Sequence, residues 1–197
     1  MHHRWTRAIQ LIILCGAATC AVIGADTQVA HRFGESVAWE PDASFVVTRR
    51  DVGEVRARSQ SPSMVPSSDE NIVAFECRYG GSGAYTFRTD RTDPSRSDIV
   101  ALCGTVRVNI LKLGSGTFDN PNVYRFGTVG ALQGKDGRWV SIVAGGAPPS
   151  ILLFSLPPGC IGDRVQLSVA LSYDLGGTTT KRELLFARPS EPDQKRP

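Results

Sequence analysis

The chain has 197 residues, 20 of them glycine and 12 proline, and 41% are hydrophobic; this is the make-up of one ordinary globular domain and excludes a disordered or fibrous chain. Setting Arg4 and Arg7 aside with the N-terminal segment leaves 20 of the 22 basic residues against 19 acidic ones. So even a balance argues against a polybasic surface for nucleic acid or for an anionic membrane.

Residues 8–25 (AIQLIILCGAATCAVIGA) carry no charge, follow two arginines and end in small residues. That pattern predicts a secretory signal peptide over residues 1–25, cleaved near Gly24 or Ala25, and hence a secreted chain with no membrane insertion afterwards. The alternative is a membrane tether through uncleaved residues 8–25, although 18 apolar residues interrupted by Gly16 and Gly24 are short for a span. Cleavage removes Cys15 and Cys20, and Cys77, Cys103 and Cys160 remain. An odd count in an oxidising compartment implies one bridge and one thiol that is free, buried or linked to another chain.

Residues 26–70 read as an N-terminal extension and linker. Ser36–Glu40 and Ser44–Thr48 form two short strands about the Pro41–Asp42 turn, and residues 53–70 (GEVRARSQSPSMVPSSDE) are too poor in bulky apolar residues to pack a core. Arg49–Arg50 and Arg56–Ala57–Arg58 read as solvated arginines before they read as processing sites.

The β-sandwich domain is expected over 71–188. Val73, Phe75, Cys77 and Tyr79 share one face of a strand, Tyr85 and Phe87 one face of the next, and the Gly80–Gly83 loop between them predicts a hairpin. Residues 98–113 make a long strand or a pair, with Leu102, Val106, Val108 and Ile110 in phase before a switch to Leu111 and Leu113 that marks a bulge. Tyr124 and Phe126 share a face, and the strands at 132–133 and 138–144 flank a Gly134–Gly137 turn. Ser150–Leu156 (SILLFSL), bounded by proline pairs, has the unbroken apolar character of a strand buried on both faces. From Val165 to Tyr173 the apolar residues alternate strictly, giving a central strand with one buried face, and Gly176–Gly177 turns it into the last strand. The tail 189–197 is polar. About nine or ten short, mostly antiparallel strands at this spacing indicate a single all-β sandwich.

Catalytic residues are hard to find. His31 is the only histidine after cleavage and lies near the N-terminal end, a poor position for a base that must hold a nucleophile. Gly80–Gly81–Ser82–Gly83–Ala84 lacks the last glycine of a nucleophile elbow, and the loop around Ser115 is further from it. Asp90, Asp93 and Asp98 alternate with Arg88, Arg91 and Arg96, which predicts a self-neutralising loop over a calcium site. The three dispersed cysteines lack zinc spacing, and no glycine loop leads to a lysine and a helix. No metal and no cofactor is expected. Trp39, Trp139 and the aromatics at 79, 85, 87, 124, 126 and 186 read as core before they read as a sugar platform. None of the four asparagines begins a glycosylation sequon.

An apolar strand ending in cysteine (Val73–Ala74–Phe75–Glu76–Cys77) and a Gly–Cys pair before an alternating strand (Pro158–Gly159–Cys160, then Val165–Leu171) resemble the SAG-related surface antigens and six-cysteine domains of apicomplexan parasites. The resemblance implies disulfides that pin two sheets together, adhesion to host cells, and a bridge between Cys77 and Cys160. Strand parity points the same way: Cys77 lies with the inward set, and Cys103 lies on the parity opposite Val106 and Val108 and is left as a free thiol. The rival pairing, Cys77 with Cys103, requires the parity to flip near Gly104. The function expected is that of a secreted, non-enzymatic sandwich for binding or adhesion to a protein or glycan. The alternative is a structural subunit of a surface or secreted assembly, with Cys103 as the link between copies.

Overall fold

The computed structural model describes residues 29–40, 43–67, 71–81, 84–90, 93–117, 119–126, 131–133, 139–144, 148–175 and 178–189. The expected signal peptide with its cleavage site and residues 190–197 of the polar tail lie outside the described residues. In chain order the strands are β1 (Ala30–Arg32), β2 (Ser36–Glu40) and β3 (Ala43–Arg50), followed by the helix α1 (Val52–Ala57). Then come β4 (Ile72–Gly80), β5 (Ala84–Thr89), β6 (Ile99–Cys103), β7 (Val106–Val108), β8 (Lys112–Gly116) and β9 (Tyr124–Phe126). The last five are β10 (Ala131–Gln133), β11 (Trp139–Ala144), β12 (Ser150–Ser155), β13 (Gln166–Leu175) and β14 (Thr178–Ala187).

They form two sheets. One has eight strands in the order β1-β14-β13-β5-β11-β10, with β6 also pairing β13 and β7 pairing β6; the other has six in the order β2-β3-β4-β12-β8-β9. The expected all-β sandwich is therefore the fold. Its main core is built by side chains of alternate parity from both sheets: Phe45, Val47, Phe75, Leu152 and Phe154 on one side, Phe87, Ile99, Leu167, Val169 and Phe186 on the other. Phe45 of β3 and Phe186 of β14 meet across the gap with ring centroids 5.7 Å apart. Each such side chain taken out of water contributes roughly 1.5–3 kcal/mol.

β13 has the central place that its alternation predicts, since it pairs β14, β5 and β6. Val165, Leu167 and Val169 are buried, but so are Ser168 and Ala170 on the opposite face, so that face is not wet throughout. β10 and β11 pair antiparallel as expected.

The expected hairpin at 71–89 is not formed. Both edges of β4 are taken, by β3 and by β12, and β5 pairs β11 and β13 instead. The glycine-rich connection thus carries the chain from one sheet to the other. The stretch 98–116 holds three strands rather than one or two, and the phase switch has a different cause from a bulge. β6 and β7 pair through Cys103↔Val106 and Ala101↔Val108, so a two-residue turn at Gly104–Thr105, with Gly104 at φ +60°, places odd residues of β6 beside even residues of β7.

Residues 26–70 are not merely an extension. β3 runs along β4 through seven register positions, and Val47 is fully buried in the main core. Beyond it, Asp51 caps α1 by accepting from the Glu54 backbone N–H at 3.0 Å, and Val55 turns inward. A 3-10 turn at Pro62–Met64 follows, and Val65 is buried. Val55 and Val65 pack with Ala74, Tyr124, Ile151 and Leu153 in a second core on the outer face of the six-stranded sheet. β12 is consequently buried on both faces, with Leu152 and Phe154 in the main core and Ile151 and Leu153 in the second. The same segment closes the sheet edge at β9, where Tyr124 N–H donates to the Arg58 carbonyl and Gln60 N–H to the Tyr124 carbonyl, both at 2.9 Å.

Candidate functional site

Two groups of charged side chains stand out, one under the segment 51–65 and one at the end of the sandwich that carries the disulfide. The first is centred on Glu76 of β4, whose side chain is 1% exposed on the sheet's outer face. Arg50 Nε donates to its Oε2 at 3.0 Å, Arg78 Nε to its Oε1 at 2.6 Å, and the Tyr124 hydroxyl to Oε2 at 3.1 Å. Burial pushes the Glu76 carboxyl up, but the hydrogen bonds and charges of the two arginines outweigh it and hold the group below its ordinary value. Burial and the Glu76 charge push the Tyr124 phenol up, against a hydrogen bond with Arg58. Gly114 makes room on this face: a Cβ there would lie 2.8 Å from the Phe126 ring. Chemically, the carboxylate is ionised, saturated with donors and shielded from water. It suits the role of a structural anchor.

The second group surrounds the bridge between Cys103 and Cys160, whose Cα atoms are 6.0 Å apart. This corrects both cysteine expectations: Cys160 pairs with Cys103 and not with Cys77, and Cys77 is the free, buried thiol. The parity flip across the Gly104–Thr105 turn is the reason. Ile99 and Ala101 belong to the main core and Cys103, partly buried, packs against it, so Cys103 faces inward. Cys77 is also out of reach. Asn71 Nδ2, just before β4, donates to the Cys160 carbonyl at 3.2 Å. Cys77 is six residues further along, roughly 20 Å at about 3.3 Å per residue, where a bridge needs Cα atoms about 4.4–6.8 Å apart. Burial raises the Cys77 thiol far above its ordinary value, which leaves it unreactive. With Cys103 in an intrachain bridge, the expected link between copies through that residue falls away.

The bridge fixes the β6–β7 turn to the crossover from β12 to β13. Beside it stand Val106, 50% exposed, and Ile161, 55% exposed. Two residues on, Asp163 is shared by Arg49 Nη1 at 3.0 Å and Arg188 Nη1 at 3.4 Å. Arg188 continues into a cavity of about 370 Å³ lined by Ala30, Arg32, Gln166, Ala187 and Pro189 as well. Gln166 is in register with Leu102, and Leu102 with exposed Arg107. Two exposed apolar side chains thus stand next to the bridge, with the Asp163 ion pairs close in sequence to Ile161.

The sequence motifs resolve as follows. His31 Nδ1 lies 3.2 Å from Glu35 Oε1, and its ring packs 5.7 Å from Phe186, so its partner is a carboxylate and not a nucleophile. Ser82 lies outside the described residues, and Ser115 sits inside β8. Asp90, Asp93 and Asp98 each turn to the loop's own backbone: Asp90 Oδ1 accepts from Asp93 N–H at 3.2 Å, Asp93 Oδ1 from Ser95 N–H at 2.9 Å, and Asp98 Oδ2 from Arg88 N–H at 2.8 Å. Among the described residues no three His, Cys, Asp or Glu side chains gather in a way that could hold a metal. Tyr79, Phe87, Tyr124 and Phe186 are buried, as core residues; the side chains of Trp39, Tyr85 and Trp139 lie outside the described set. The arginine-rich end was missed because Arg32, Arg49, Asp163 and Arg188 come from separate segments with no shared local signal.

The fold and its staple define a disulfide-bridged all-β sandwich. No family model matches the chain, and no curated protein matches it. Among solved structures, the GAE domain of GGA2p from Saccharomyces cerevisiae is similar at a TM-score of 0.30 and 10% identity, over 80% of this chain and 97% of that one.

Proposed function

We propose that the protein is a secreted, non-enzymatic β-sandwich that works by binding or adhesion, and that the disulfide-stapled end is its contact surface. The observation that carries this reading is the exposed pair Val106 and Ile161 beside the bridge, with Asp163, Arg49 and Arg188 at the rim. Exposed apolar side chains held rigidly lose little entropy on binding, and a charged rim steers and orients a partner. Secretion is supported by the apolar segment 8–25 and by the bridge itself, which is characteristic of oxidising compartments.

Two measurements test it. N-terminal sequencing of secreted material is expected to begin near Ala25 or Asp26; retention of residues 8–25 in a membrane fraction overturns the soluble form. Immobilised secreted chain is expected to retain a protein from the extracellular fluid or cell surface of its source. The double variant Val106→Asp, Ile161→Asp is expected to lose it with its thermal melt unchanged, because both side chains face solvent. Equal capture by both chains sinks this surface.

A further inference from the structure

At one side of the eight-stranded sheet the edge strand is much shorter than the strand it flanks. β14 is ten residues long, from Thr178 to Ala187, whereas β1 is three. β1 runs parallel to β14 and pairs Ala30 with Leu185, His31 with Phe186 and Arg32 with Ala187. No other described strand lies on that side of β14. A long sheet edge is a template for a further strand, and folded proteins cover it.

The register says which residues would come next. Parallel strands advance together, one residue at a time. Val29 therefore falls opposite Leu184, Gln28 opposite Glu183, Thr27 opposite Arg182 and Asp26 opposite Lys181. Parity fits. His31 packs on Phe186, Leu184 shares the inward face of Phe186, and both belong to the main core, so Val29 in this register points inward. Where the pairing stops at Ala30, Val29 is left 77% exposed. β2 of the other sheet stands within reach of this edge, since Arg182 Nη1 donates to the Ala38 carbonyl at 3.2 Å. Length fits too. A chain cleaved near Gly24 or Ala25 begins at Ala25 or Asp26, and so runs out opposite Thr180 or Lys181, inside β14. The uncleaved chain would carry its apolar residues 8–22 past Thr178, where β14 begins. Residues 25–29 (ADTQV) hold neither glycine nor proline to break a strand.

We propose that removal of residues 1–25 lets the new N-terminus pair along β14, so that β1 lengthens and signal cleavage completes the edge of the eight-stranded sheet. The proposal rests on the cleavage that the secreted reading includes and adds what the cleaved end then does. The competing occupant is a strand from a second copy. The chain's own N-terminus is favoured because β1 already fixes its register, and pairing within one chain carries no cost of association.

The test is residue-by-residue hydrogen exchange by NMR on the secreted chain, with N-terminal sequencing and gel filtration of the same sample. The chain is expected to be a monomer in which at least one of the consecutive amides of Gln28 and Val29 exchanges roughly tenfold or more slowly than a random coil. The double variant Thr27→Pro, Gln28→Pro is the second measurement. Successive amides of a strand point to opposite sides, so one of the two prolines removes a bond to β14 whichever way the segment is turned. The variant is expected to lose the protection at Val29 and Ala30 while the amides between β13 and β14 keep theirs. Coil-like exchange at both Gln28 and Val29, in a chain shown to begin at Ala25 or Asp26, overturns the proposal. A dimer whose β14 edge stays protected in the proline variant also overturns it, because a second copy is then the occupant. If sequencing finds residues 8–25 retained, the cleavage reading has failed, and the same exchange is read on a chain cut to begin at Asp26. Protection there keeps the pairing as a property of the segment, and coil-like exchange removes it.

Discussion

Two carboxylates in this sandwich are each held between two arginines, and they sit in opposite environments. Glu76, 1% exposed, lies between Arg50 and Arg78 beneath the segment 51–65. Asp163, 64% exposed, lies between Arg49 and Arg188 at the disulfide end. Arg49 and Arg50 are consecutive residues of β3, so the alternation of a strand sends one to each group. In the first set the carboxylate is dry while its arginines reach water, so removing the arginines would strand the Glu76 charge, and the group holds the outer layer to the sheet. In the second set the carboxylate itself stands in water, so its pairs are screened and add little to stability.

Neutralising Glu76 is the harshest way to break the comparison. Glu76→Gln leaves Arg50, 29% exposed, and Arg78, 50% exposed, charged beside an uncharged amide; because water reaches both guanidiniums, the cost is set at about 3 kcal/mol, the low end for breaking a buried ion pair. Urea unfolding at neutral pH should show that loss. The sign with pH follows from the depressed carboxyl: its contribution is present above the ordinary glutamate value of about 4.3 and is lost as pH falls through the lower folded value. The variant should therefore lack part of the acid limb of the wild-type stability curve. Equal stability of the two proteins from neutral to acid pH would place Glu76 in water and dissolve the contrast.

Removing the bridge tests the other side. Cys103→Ser with Cys160→Ser opens a loop spanning 57 residues, for which the loop-entropy relation gives about 4 kcal/mol and practice roughly 2–4. Cys103→Ser and Cys160→Ser alone should each reproduce most of the loss, and non-reducing peptide mapping should yield a 103–160 linked peptide. A 77–160 peptide would contradict the register of β6 and β7.

The strands themselves were legible from hydrophobic pattern: β4 and β13 lie where alternation puts them, and β12 where an unbroken apolar run between proline pairs does. Partners were less so. The tetrapeptide after β4 reads as a hairpin loop from composition alone, and nothing local reveals that both edges of β4 are filled by β3 and β12. The parity of Cys103 was misread because phase was carried across Gly104–Thr105, a turn that resets it. The doubly buried SILLFSL strand implied a third layer, but α1 is one and a half turns long, too short to show a helical period. Its one signal is Asp51 three residues before Glu54, an N-terminal capping pair. Neither arginine cluster had any signature, since each joins residues far apart in the chain.

A gentler cut at the buried group is Tyr124→Phe. It deletes one hydrogen bond to Glu76 while both arginines stay, so the expected loss is about 1.5 kcal/mol, the low end for a hydrogen bond to a charged group. Thermal unfolding resolves a difference of that size. A loss as large as that of Glu76→Gln would mean that the phenol, rather than the guanidiniums, anchors the outer layer.

The smallest expected effect on stability is also the sharpest test of the contrast. Asp163→Asn has the same logic as Glu76→Gln, a carboxylate made neutral between two arginines, but here the carboxylate is 64% exposed. Exposed pairs of this kind contribute about 0–1 kcal/mol, so the melting curve should scarcely move. The acid limb should keep its wild-type shape. If stability instead falls as far as it does for Glu76→Gln, the Asp163 group is a second structural anchor, and the disulfide end loses its claim to be the working surface of the molecule.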